Sequence, residues 1–335
     1  MTARSAVLVL LTVTSLAMTH GLAANAQSTA PAKPETHPGA PPASAPKAPV
    51  VPPRRFGSPQ EATQALVGVL RAHDVKGLVG IFGSDGRALV LSGDPVMDRR
   101  SRERFLAAYD AASKLVTEGG TTVLYIGQDP WPFPIPLVKH GERWQFDVRR
   151  GRDEVIARRI GRNELYTIET CLAFVDAQRE YYAEPRKGDG IREYAQKFAS
   201  APGAHDGLYW PTPATERPSP LGELVVRARA EGYRRQTDKP TPYHGYLYRI
   251  LTAQGPAAAG GAYDYVTRGR MIAGFALVAF PAEYGVSGVM SFIVNHDGIV
   301  YQKDLGPRTR ELAVAMRAFD PDGTWTKTQA TGLTP

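Results

Sequence analysis

The sequence has a single cysteine, Cys171, among its 335 residues. One thiol cannot close an internal disulfide, so stability rests on apolar cores, and the chain is long enough for two of them. Long apolar runs are missing after the N-terminal region. The longest, Met271–Phe280, is too short to span a bilayer and fits a strand. His73, His140, His205, His244 and His296 are scattered, none three or four residues from another, which excludes a zinc helix or a paired-ligand motif. There is no phosphate-binding loop and no G-x-G-x-x-G. Ser287 in Gly285-Val-Ser-Gly288 is not a nucleophile elbow. These absences predict neither a metal nor a cofactor.

What is present begins with an export pattern. Arg4 precedes an apolar run from Ala6 to Met18, and Ala24-Asn25-Ala26 supplies a small-x-small site. The expectation is a cleavable signal peptide over residues 1–26, cut after Ala26, and a periplasmic or secreted mature chain. A retained amphipathic anchor is the alternative. No cysteine follows the site and no Arg-Arg pair precedes it, which argues against lipidation and the twin-arginine route. The mature chain is expected to have no transmembrane segment. The formal net charge is +7. Mild basicity suits anionic lipid headgroups, wall polymers or acidic proteins, and nucleic acid is not expected for an exported chain.

Residues 27–55 are rich in Pro and Ala and lack periodic apolar positions, which reads as a disordered, partly polyproline tether. Folded sequence begins near Phe56. Ser58-Pro59-Gln60-Glu61 is a capping box with proline at the first helical position. Asp74 can cap a second helix, and a third runs from about Asp98 with Phe105, Leu106, Tyr109 and Ala112 inward. Strands follow at 121–126, 135–139 and 143–148, the last two joined across His140-Gly141-Glu142. Helices followed by an antiparallel meander predict an α+β domain over 56–150, with helices on a curved sheet in an NTF2-like layout.

A second α+β domain is expected over 151–325, with a tail at 326–335. It opens on a helix of about Asp153 to Tyr182 whose apolar stripe is Leu165, Ile168, Leu172 and Val175. Shorter helices are expected at 191–200 and 220–231, the latter capped by Ser219 and ended by Gly232. Strands are expected at 243–252, 262–267, 271–280, 289–295 and 299–304, with His296-Asp297-Gly298 as a turn. A long helix across an antiparallel meander is a pilin-like layout.

Seven segments together carry a family resemblance. They are Trp131-Pro-Phe-Pro-Ile-Pro136, Ile160-Gly-Arg-Asn-Glu-Leu165, Asp176-Ala-Gln-Arg-Glu-Tyr181, Asp206-Gly-Leu-Tyr-Trp-Pro211, Thr241-Pro-Tyr-His-Gly-Tyr246, Leu251-Thr-Ala-Gln-Gly-Pro256 and Phe292-Ile-Val-Asn-His-Asp-Gly298. They resemble a bacterial family of exported proteins catalogued as a domain of unknown function, over about Phe56 to Trp325. The resemblance implies no assigned activity and no catalytic residues. Family members often carry acidic residues where this chain has Glu184-Pro-Arg-Lys-Gly-Asp-Gly190; Pro185 and Lys187 stand in their place, which argues against a calcium role.

The aromatic segments are the richest functional signal. On a strand from Tyr243, residues 244, 246 and 248 share one face and Tyr243 points to the other. Aromatics with one polar end suit glycan or peptide contact, and also ordinary packing. The binding candidates are Tyr209, Trp210, His244 and Tyr246, in one shallow groove. A pocket in the first domain, around Tyr125, Asp129 and Trp131, is the enzyme alternative, since such pockets can hold a carboxyl with a shifted pKa. Either His205 or His244 could act as a base with a positioned partner. Cys171 reads as a buried inert thiol. Arg149, Arg150, Arg152, Arg158, Arg159 and Arg162 read as an anionic-surface contact or as a solvated face paired with Asp153 and Glu154. The leading function is a non-enzymatic binding or assembly module of the cell envelope, with an envelope protein or a glycan as partner.

Overall fold

The computed structural model describes residues 50–213, 215–234 and 240–328. The expected signal peptide, residues 27–49 of the Pro/Ala-rich stretch and the chain beyond 328 lie outside these residues.

Ser58 starts helix α1 (Pro59–Arg71) by accepting from the Glu61 N–H at 3.1 Å, while the Glu61 carboxylate accepts from the Gly57 N–H at 2.7 Å. The box therefore closes one residue before Ser58. Asp74 caps α2 (Val75–Phe82) through the Gly77 N–H. A short α3 (Arg87–Val90) precedes α4 (Pro95–Ala111). Helix α4 starts before the expected Asp98, because Asp94 accepts from Val96 and Met97 and Pro95 takes the first helical position. Ala112, expected to face inward, is extended and exposed just past its end.

Strands β1 (Ser113–Glu118), β2 (Thr121–Ile126), β3 (Trp131–Pro132), β4 (Leu137–His140) and β5 (Arg143–Phe146) form an antiparallel sheet in the order β1-β2-β4-β5, with β3 also on β2. No β1 residue is buried, so no apolar alternation marks that strand in the sequence. Helices α1 and α2 cover this sheet with Leu66, Leu70, Ile81 and Phe82, which meet Leu137 and Phe146 in one hydrophobic cluster.

Helix α5 (Val148–Tyr182) joins this cluster to a second. Its first turn carries Val148 into the first cluster. Gly151 lies so close to Pro134 that a Cβ there would stand 2.0 Å from the Pro134 carbonyl oxygen. Further along, the buried line runs through Asn163, Thr167, Cys171, Phe174, Gln178 and Tyr181. The expected stripe is displaced, since Leu165 and Leu172 are about two-fifths exposed. The reason is that the buried polar side chains on this face are all bonded internally. Asn163 donates to the Ser287 carbonyl, Thr167 to the Asn163 carbonyl and Tyr181 to the His205 carbonyl, and Gln178 both donates to and accepts from the Ala195 backbone, each at 2.8 Å. Satisfied in this way, they tolerate a position that hydropathy alone would assign to leucine.

The expected helix at 191–200 is absent. Those residues run extended, bridging Tyr194 to Met271 and Ala199 to Tyr209. Helix α6 (Gly222–Ala230) begins two residues late, and the buried Ser219 hydroxyl makes no cap bond. Then come β6 (Tyr246–Leu251), β7 (Ala253–Gln254), β8 (Tyr263–Asp264), β9 (Val266–Thr267), β10 (Arg270–Met271), β11 (Ala276–Pro281), β12 (Met290–Asn295), β13 (Tyr301–Asp304), α7 (Thr309–Ala315), β14 (Ala318–Phe319) and β15 (Thr326–Lys327). The main sheet has the order β15-β13-β12-β11-β6, all antiparallel. Every residue of β11 is buried, with α5 and α7 packed on it. The architecture is mixed α+β, with antiparallel sheets and one long helix.

Candidate binding cavity

A cavity of about 1450 Å³ opens between α6, β6 and the loop after residue 197. Phe174 of α5 and Leu277 of β11 contribute to its lining. Leu224 and Val225 of α6 form one wall, and Tyr243 and Tyr248 another. Tyr209 and Trp210 line the cavity, and Tyr209 is fixed there by backbone pairing. Tyr209 donates to the Phe198 carbonyl and accepts from the Ser200 N–H, both at 2.8 Å.

Cations decorate these aromatics. The Arg229 guanidinium lies 5.2 Å from the Tyr209 ring centre. Trp210 stacks on His205 at 4.3 Å and has the Arg186 guanidinium at 5.2 Å, both geometries favourable for an indole. Lys197 is paired with Asp206, and that pairing holds the Asp206 carboxyl below its ordinary range.

His244 and Tyr246 are not on this cavity, so the four groove candidates do not share one surface. Tyr246 is fully buried and its hydroxyl donates to the Met290 carbonyl at 2.9 Å. The expected alternation from Tyr243 fails because His244 and Gly245 both have positive φ, 48° and 78°, so the strand starts only at Tyr246. A side chain on Gly245 would also stand 2.5 Å from the Asn163 amide nitrogen. The turn sends both Tyr243 and Tyr248 to the cavity.

Asp94 anchors that turn. Its Oδ2 accepts from the Tyr233 hydroxyl at 2.8 Å and the Gly245 N–H at 2.9 Å, while the Tyr233 hydroxyl accepts from the His244 N–H at 3.0 Å. Burial, with the Asp94 charge added, pushes the Tyr233 phenol up. His244 is buried, stacked on Tyr166 at 4.3 Å, with its Nε2 3.0 Å from a Glu231 oxygen. Burial pushes the imidazole down more than the neighbouring carboxylates raise it. Neither ring nitrogen makes a hydrogen bond among the described residues, and His244 reaches neither described cavity. Its ring is packed against Tyr166 and Tyr243, whereas a base needs access to a substrate proton.

The enzyme alternative's residues stand elsewhere. Asp129 and Trp131 are exposed at the β2–β3 turn, and Tyr125 lies under Lys114 at 5.5 Å. The buried acids of this region are Asp94 and Asp98, the latter expected from the sequence at a helix start. The signal for the earlier start is Asp94-Pro95, which moves the start of α4 back one turn and puts Asp98 inside the helix.

Other motifs resolve into packing. Asp189 and Glu193 both pair with Arg270, and Lys187 also pairs with Glu193, so the carboxylates of the glycine loop are engaged. Among the described residues no group of His, Cys, Asp and Glu is placed to hold a metal ion. Among the helical arginines, Arg152 pairs with Asp153, Arg158 with Glu154, and Arg149 with Asp85. Arg159 donates to the Ala88 and Leu89 carbonyls. Burial pushes the Cys171 thiol well up.

Residues 53–328 match the model of a family described as Protein of unknown function (DUF2950). The chain belongs to that family. No curated protein matches it, and no solved structure does. No helix among the described residues is long and apolar enough to cross a membrane.

Proposed function

We propose that this DUF2950 protein is an exported, non-catalytic binding module of the cell envelope, and that its large cavity takes an extended peptide segment of a partner. The cavity carries the reading. At about 1450 Å³ it exceeds the roughly 300–1,000 Å³ of small-molecule sites. Its walls are mostly apolar and aromatic, which suits aliphatic or prolyl side chains better than a glycan, whose hydroxyls need many polar partners. Arg229 and Arg234 are exposed at the cavity and favour an acidic residue in the peptide. The export signal supports an envelope location, and an NTF2-like module followed by a pilin-like one is the domain plan we adopt with it.

Selection from a displayed library of linear peptides tests the proposal. Selected peptides should share apolar and acidic positions, and Leu224→Glu should weaken them at least about tenfold, roughly 1.4 kcal/mol. Binding unchanged in Leu224→Glu would remove the peptide from this cavity. Capture of soluble wall glycans in place of peptides would replace the partner class.

A further inference from the structure

A second, smaller cavity lies between α1, α4 and α5, remote in sequence from the peptide-sized one. It has a volume of about 140 Å³. Leu66, Leu70, Phe82, Phe105, Phe133 and Ile135 line most of it. Apolar cavities of about 150 Å³ with such walls accept benzene. The space therefore fits one six-membered ring or a branched alkyl group.

One end of this cavity is polar and unbalanced in charge. Asp98, Ser101 and Arg102 reach it from one face of α4, and Arg159 from α5. Asp98 is 8% exposed and accepts from the Ser92 N–H, at 3.0 Å to the nearer oxygen. No ion pair joins Asp98 to either guanidinium among the described residues. Arg159 is held by the Ala88 and Leu89 carbonyls, both at 2.8 Å. The Arg102 Nε is buried and has no hydrogen-bond partner. Two guanidiniums thus face one carboxylate, and one charged donor lacks an acceptor. An unmet buried donor costs roughly 1–3 kcal/mol, more when charged, so an arriving acceptor is favoured there.

We propose that this cavity is a binding site for a small monocarboxylate with an apolar body, such as an aromatic acid, its ring among the leucines and phenylalanines and its carboxylate accepting from Arg102. One negative charge balances the polar end. The apolar walls select against larger polar acids, and the volume selects against long chains.

Benzoate is the probe, added to the full-length protein and read by calorimetry and by melting temperature. Saturable heat and a concentration-dependent rise in melting temperature are expected. Toluene should bind at least about tenfold more weakly, and Arg102→Gln should weaken benzoate by about tenfold or more while leaving toluene unchanged. If Arg102→Gln does not fold, Arg102→Lys serves, since it keeps the charge and loses Nε; it should also bind benzoate more weakly than the native chain. Leu224→Glu, in the larger cavity, should leave benzoate binding intact. The proposal is overturned by no benzoate binding at millimolar concentration, by toluene binding as tightly as benzoate, by unchanged affinity in the Arg102 variants, or by loss of benzoate binding in Leu224→Glu.

Discussion

Asp94 and Asp98 stand on the first turns of the same helix, both nearly excluded from water, at 1% and 8% exposure. Their surroundings differ. Asp94 accepts from Val96, Met97, the Tyr233 hydroxyl and the Gly245 N–H. Asp98 accepts from the Ser92 N–H, and burial raises its pKa above the ordinary 3.8 despite that bond and the nearby Arg159 and Arg102 charges. A buried carboxylate keeps its charge cheaply when donors fill its lone pairs, and at a cost when they do not. The first acid is a fastener between α4 and the turn at residues 243–245. The second is left with capacity at the edge of a cavity.

The largest expected effect comes from removing the fastener. Asp94→Ala deletes a helix cap and strands the Tyr233 hydroxyl and the Gly245 N–H, which should cost about 3 kcal/mol or more. Denaturant unfolding measures it, and a cost under about 1 kcal/mol would erase the contrast. Tyr233→Phe should cost roughly 1–2 kcal/mol, because it removes both the donor to Asp94 and the acceptor for the His244 N–H. Combined with Asp94→Ala it should add little, since the two share one network. Full additivity would show that they act separately.

Asp98→Asn should produce the smallest change at acid pH and a pH-dependent one above it. With its pKa raised in the folded state, Asp98 favours folding when protonated. That advantage is complete below the unfolded value near 3.8 and is lost as pH rises through the folded value. Asparagine keeps an oxygen for the Ser92 N–H and has no charge to bury. The melting temperature of Asp98→Asn relative to the native chain should therefore climb between pH 3.5 and pH 7. A flat or falling difference would show that burial does not raise the Asp98 pKa.

The same pair shows how far the sequence could be read. Caps at Ser58 and Asp74 and strand β2 stand where turn chemistry and alternation put them, because local rules govern them. Helix α4 is expected from the sequence only from about Asp98, one turn short of its start, and nothing in the local pattern marks Asp94 and Asp98 as buried. The buried face of α5 departs from the hydropathy pattern because Asn163 and Gln178 are bonded to backbone that only the fold brings near. Tyr209 and Trp210 lie on a cavity, yet their expected neighbours His244 and Tyr246 do not, since a left-handed turn interrupts the strand. Contacts between elements distant in the chain leave no periodic trace.

Cys171 sits fully enclosed in the middle of α5, the chain's one sulfhydryl. Its isolation makes it a built-in clock for breathing of the fold. A thiol-reactive dye can reach it only when the helix lifts from the sheet, so the rate of labelling reports the frequency of that opening with no background from other sites. The same enclosure shields the thiol from oxidants. Two copies can become covalently joined only through molecules that have already opened, so any cross-linked dimer is a record of past unfolding.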